Sequence, residues 1–237
     1  MANPVDSAFS SSRLMLPQAP AAETLGQSYE CLSFLLLLAV SLLCLVALMK
    51  KVLNIFPSLM ANFIRWKECL NLEASAKLSR DRNMVALASC IPFCLVVYVN
   101  HLYSPAFLEA LGNNTRLWCI IGIFGLFVSI RSLLEHILKP RRIPFKTYTC
   151  ITRLAYSFFI TLLMLLLILN GICAVTGISP EHTRSAMLWL SASIYFLYLI
   201  RKLQIFASCF SVFAGFLYLC ALEILPTGAL IASAVIF

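Results

Sequence analysis

The chain has 237 residues, 61% of them apolar and only 12% charged, with ten cysteines and a formal net charge of +8. Soluble domains run about 45–50% apolar and about 25% charged, so this chain cannot cover itself with water-compatible surface. The composition excludes a water-soluble globular enzyme and leaves room for about six membrane spans of roughly 20 residues each, joined by short loops.

Residues 1–30 hold Ser, Ala, Pro and Gln with scattered charge and lack the apolar core of a secretory signal. They read as a flexible polar extracytoplasmic tail. Residues 31–237 read as a single helical membrane domain. Cys31–Met49 carries no charge and is closed by Lys50 and Lys51, which sets a first span at 31–49. Further apolar runs predict spans at 84–103, 117–134, 151–171, 186–200 and 205–225. The expected fold class is therefore all-α, with six transmembrane helices. Pro92 inside the second span should release the Ala88 carbonyl and kink the helix.

The longest loop places Leu59, Phe63, Trp66 and Leu70 at spacings of 4, 3 and 4, on one face of a helix. This predicts an interfacial amphipathic helix over about 58–80, anchored by Trp66, with basic side chains turned toward anionic headgroups.

Fifteen of the eighteen basic residues fall in alternate loops if the N-terminal tail is outside. The inner loops then hold Lys50, Lys51, Arg141 and Arg142 among others, and the positive-inside rule places both termini outside. The same charges are spread over three loops beside apolar spans, so topology and anionic lipid explain them and nucleic acid is not expected as a partner.

Most cysteines lie inside apolar runs and behave as small hydrophobes. Cys90 and Cys94 stand one helical turn apart, but no second Cys or His pair accompanies them at ligand spacing, so neither metal nor cofactor is expected. Nucleophile-elbow, P-loop and dinucleotide fingerprints are missing, so no catalytic residue is assigned. Glu223 is the one carboxylate within an apolar run, and an ionisable group in a span is by default a candidate for function. With the last span drawn at 205–225, Glu223 approaches the outer edge, where Asn100, His101, Asn170 and His182 also end their spans. Arg131 and Glu135, one turn apart, read as an interfacial ion pair, and Arg201 and Lys202 as snorkelling boundary residues. Gly122, Gly125 and Ser129 line one face of the third span, and Ser208, Ser211 and Gly215 one face of the sixth, at the 3 and 4 spacings that admit close helix packing in lipid.

Arg201-Lys202-Leu203-Gln204-Ile205-Phe206, followed by Leu217-Tyr218-Leu219-Cys220-Ala221-Leu222-Glu223-Ile224-Leu225-Pro226, resembles the ending of a family of bacterial multi-pass inner-membrane proteins known only as a domain of unknown function. The resemblance covers about 30 residues. It implies a bacterial inner membrane and draws attention to Glu223 and Pro226, and it supplies no activity.

The leading functional expectation is a non-enzymatic subunit or accessory factor that packs against other integral membrane proteins. The alternative is a small oligomeric transporter or channel using Glu223. A membrane-embedded lipid-modifying enzyme, with His101, His182 and Glu223 sharing an outer site, comes third.

Overall fold

The structure is a computed structural model that describes residues 32–64, 75–109, 111–137, 145–209 and 212–236. All regular structure among them is helical. In chain order the elements are α1 (Leu32–Ile64), α2 (Ala76–Ala88), α3 (Cys90–Val99), the single turn α4 (Ala106–Glu109), α5 (Asn113–Ile137), α6 (Phe145–Thr176), α7 (Pro180–Cys209), α8 (Val212–Leu219), a π-helical turn over Cys220–Ile224, and α9 (Leu225–Ile236). Six stretches are long and apolar enough to cross a membrane: Leu32–Ala61, Ala76–Val99, Asn113–Ile137, Tyr148–Thr176, Pro180–Ala207 and Gly215–Ala234. The chain is a multi-pass helical membrane protein.

The number of spans agrees with the apolar runs, and several ends move. The first helix continues through Lys50, Lys51 and Pro57 to Ile64. Lys51 faces Asp81 of α2 at 3.7 Å, so its charge is matched inside the bundle rather than at a boundary. Val52, Ile55 and Leu59, at spacings of 3 and 4, pack with Val85 and Ala86 of α2 and Ile160 of α6. Of the interfacial helix expected over 58–80, residues 58–64 belong to α1 and 76–80 to α2; Trp66 and the rest of 65–74 lie outside the described residues, as do Arg141 and Arg142.

The second span is interrupted where Pro92 predicts a disturbance, with Ser89 separating α2 from α3. The Phe93 amide still reaches the Ser89 carbonyl at 3.1 Å, so the two helices stay nearly continuous. Cys94 is buried, and the Cys90 thiol donates to the Ala86 carbonyl at 3.5 Å. Cys150, near the start of α6, is disulfide-bonded and so departs from the reading of the cysteines as plain apolar residues.

The largest revision is at the C-terminal end. Instead of a short fifth span at 186–200 and a sixth at 205–225, α7 runs on through Arg201 and Lys202 to Cys209, and the last span is Gly215–Ala234. Pro226 does not end it, because the π turn precedes the proline and α9 carries on to Ile236. Tyr103 of the α3–α4 connection meets Ser233 of α9 at 2.8 Å and fixes the far end of this span.

Packing centres on α6. Its residues join three apolar clusters: Leu154 and Phe158 with Tyr198 and Phe206 of α7, Ile160 with α1 and α2, and Leu163 and Leu166 with Val96 of α3 and Met187 of α7. A fourth cluster joins Phe34, Leu95, Tyr98, Leu108 and Leu117 across α1, α3, α4 and α5. The small-residue faces behave differently from each other. At Gly215 an added Cβ would lie 3.0 Å from Phe206 Cβ, a close α7–α8 approach, whereas at Gly122 and Gly125 it would meet nothing within 4 Å. Ser129 is exposed on the same open face of α5, Ser208 sits in the last turn of α7, and Ser211 lies outside the described residues. Trp118 and Trp189 project outward, 54% and 75% exposed, as side chains facing lipid do.

Candidate functional site: a carboxylate held by two cations

The revised last span moves Glu223. Eight residues separate it from Gly215, about 12 Å along a helix; Lys202 lies about 8 Å inside Ala207 and Arg131 about 9 Å inside Ile137. Three helices thus bring an acid and two bases to one level, a short way inside the end of the bundle that carries the basic residues. Glu223 and Lys202 are fully buried, while the side chains of Arg131 and Glu135 keep one-fifth of their surface.

The donors converge on one oxygen. Arg131 Nη2 donates to Glu223 Oε1 at 2.7 Å, Tyr198 Oη donates to it at 2.6 Å, and Lys202 Nζ forms the third bond. The Tyr198 hydroxyl in turn accepts from Arg131 at 2.7 Å and from Lys202 at 3.1 Å. The two cations also lie over the Tyr198 ring, 5.7 and 5.6 Å from its centre. Every bond to the carboxylate is charge-assisted, the strong kind. Arg131 Nε faces Glu135 at 3.7 Å, so two bases meet two acids and the set is neutral in formal charge.

The backbone takes part as well. The π turn spaces the carbonyls differently from an α-helix. The Tyr195 hydroxyl stands 3.2 Å from the Glu223 carbonyl oxygen and 3.2 Å from Thr227 Oγ1. On the other side Tyr148 of α6 donates to the Glu135 carbonyl at 2.7 Å. Polar bonds thereby tie α5 and α7 to the π turn, α7 to Thr227 of α9, and α6 to α5.

The other sequence candidates gather at the opposite end. Along α5, Arg116 precedes Arg131 by 15 residues, about 22 Å, and Arg116 donates to His101 Nδ1 at 2.5 Å. His101 adopts a positive φ of 49° just after Asn100, whose side chain caps the Val96 carbonyl at 3.0 Å. His182 is exposed and bonds Ser179, Arg184 reaches Ser104 at 3.2 Å, and Asn170 is half-buried high on α6. Glu223 therefore does not share a site with His101, Asn100, Asn170 or His182. A separation of that size also removes a catalytic constellation built from His101, His182 and Glu223.

Arg131, Lys202, Tyr195 and Tyr198 are the residues that a reading of the chain as boundary and core passes over. Tyr195, Tyr198 and Lys202 follow at spacings of 3 and 4, a polar stripe on one face of an otherwise apolar helix. That stripe was the available signal. Among the described residues no group of three or more His, Cys, Asp and Glu is placed to hold a metal ion. Compared with protein-family profiles, with curated proteins and with solved structures, the chain matches none.

Proposed function

We propose that the protein is a small membrane transporter or channel whose translocation path includes Glu223. The observation that carries this reading is the pairing of one buried carboxylate with Arg131, Lys202 and Tyr198 at a π turn inside the bundle. Ionisable groups are costly in lipid and are retained chiefly on substrate, ion and proton pathways. Buried ion pairs add little stability over apolar packing, so stability alone does not account for four charged side chains here. The π turn belongs to the same argument, since such turns concentrate at functional sites.

The test is electrical recording from proteoliposomes on a solid-supported membrane, challenged in turn with pH steps, inorganic ions and small organic acids, amines and sugars. Protein-dependent currents are expected, lost in Glu223→Gln and retained in Glu181→Gln, which alters an exposed residue at the far end. The absence both of protein-dependent current and of any protein-dependent pH change inside the liposomes overturns the reading.

The second reading is a non-enzymatic subunit or accessory factor of a membrane complex. It is favoured by the open Gly122, Gly125 and Ser129 face of α5, a surface suited to close helix approach that none of the described residues covers at the two glycines. On that reading Gly125→Leu leaves the thermal midpoint of the isolated protein unchanged and removes co-purifying membrane proteins in mild detergent; their retention counts against it.

The charge bias supports an N-outside, C-outside orientation with the Glu223 end in the cytoplasm. The likeness of the C-terminal stretch to bacterial inner-membrane proteins supports that membrane as the location, with anionic headgroups against the basic loops.

A further inference from the structure

We propose that Arg131 and Lys202 form a binding site for the oxyanion group of a solute, a carboxylate, phosphate or sulfate, which replaces the Glu223 carboxylate once that group takes up a proton. This rests on the transport reading and names the substrate class for the same site.

The geometry around Glu223 Oε1 is that of an oxygen in an anion site. Its three neighbours are all hydrogen-bond donors, two of them cationic. A metal cation needs oxygen lone pairs around it and would meet Arg131 and Lys202 instead, so cation transport does not fit the residues present. Glu223 is in effect a tethered occupant. When its carboxylate gains a proton from solvent, the set of two bases and two acids is left one positive charge in excess, which an entering monoanion neutralises and a dianion such as sulfate turns into one negative charge. Loss of the anion and return of the proton to solvent restore the starting state. The partly exposed Arg131 and Glu135 side chains mark the approach.

The groups facing Glu223 are Arg131 and Glu135 from α5, Tyr195, Tyr198 and Lys202 from α7, Tyr218 from α8 and Thr227 from α9, with Tyr148 of α6 behind Glu135. Among these Glu135 is the other carboxylic acid. His136 lies on the face of α5 that carries Ser129 and Ser132.

The test uses the full chain in phosphatidylcholine nanodiscs and sulfate, which keeps its double charge from pH 5 to pH 8, followed by calorimetry. Wild type is expected to bind sulfate about tenfold or more tighter at pH 5 than at pH 8, given the size of a unit charge a few ångströms away. Glu223→Gln is expected to bind tightly at both pH values, a gain that misfolding cannot produce and that separates Glu223 from His136. Glu135→Gln raises affinity throughout and keeps the pH step, and Lys202→Gln loses binding. Sulfate binding that responds neither to pH nor to Glu223→Gln overturns the proposal, as does its disappearance in discs containing phosphatidylglycerol, which would assign the site to a lipid headgroup. If Glu223→Gln does not fold, the pH step in His136→Gln takes its place: its persistence supports the proposal and its loss overturns it. Sulfate binding without currents or a pH change inside the liposomes removes the transport reading and keeps the anion site. Currents lost in Glu223→Gln without sulfate binding do the reverse.

Discussion

Glu223, Arg131, Lys202 and Tyr198 depend on one another, and the dependence is measurable. Lys202→Met leaves Glu223 with one base instead of two, and Glu223→Leu leaves Lys202 buried without an acid. Each is expected to cost about 3–5 kcal/mol in detergent-solubilised unfolding, the usual penalty for stranding a buried charge. The double variant removes one charge of each sign and leaves Arg131 facing Glu135. It should be more stable than either single variant, and a double variant at the sum of the two losses contradicts the pairing. Tyr198→Phe keeps the ring under both cations and removes the hydroxyl that links them, at an expected cost of about 1.5–3 kcal/mol in the same assay.

At the level of the helices, the two small-residue faces make opposite predictions. Gly215→Ala places a methyl group 3.0 Å from Phe206 Cβ where α7 and α8 meet, so a loss of about 1–3 kcal/mol is expected. Gly125→Ala meets open space and gains helix propensity, so the thermal midpoint should hold or rise. The helices themselves were legible in the sequence because each contains an apolar stretch long enough to cross the hydrocarbon layer. Their ends were not, and the reason is specific. A basic pair after an apolar run, such as Lys50-Lys51 or Arg201-Lys202, looks like a boundary. Inside a bundle the same pair can meet an acid from another helix, as Lys51 meets Asp81 and Lys202 meets Glu223. Only the tertiary partner distinguishes the two, and it is remote in sequence. That one ambiguity displaced the last span by about ten residues and sent Glu223 to the wrong end of the bundle.

For the molecule as a whole, the six candidate spans are an even number, so the proposed orientation sets both ends of the described chain on one face and takes its direction from the basic residues. Maleimide added to intact cells should fail to reach a cysteine introduced between α5 and α6, and labelling there would invert the orientation. Cys150, disulfide-bonded at that same end, weighs against a cytoplasmic placement, because cytosolic thiols are held reduced. Recovery of Cys150 as a disulfide from cells trapped and denatured before lysis would put the basic end on the oxidising side, and its recovery as a thiol would support the proposed orientation.

The outward placement of Trp118 and Trp189 decides what the ultraviolet emission of these two side chains can report. With those two indoles against acyl chains rather than in the core, their spectrum follows the surrounding solvent shell. Brominated lipids should quench them strongly while every helix is intact, and heating should shift their emission little. Melting curves are better followed through the buried thiol of Cys94, which becomes reactive only when the interior opens.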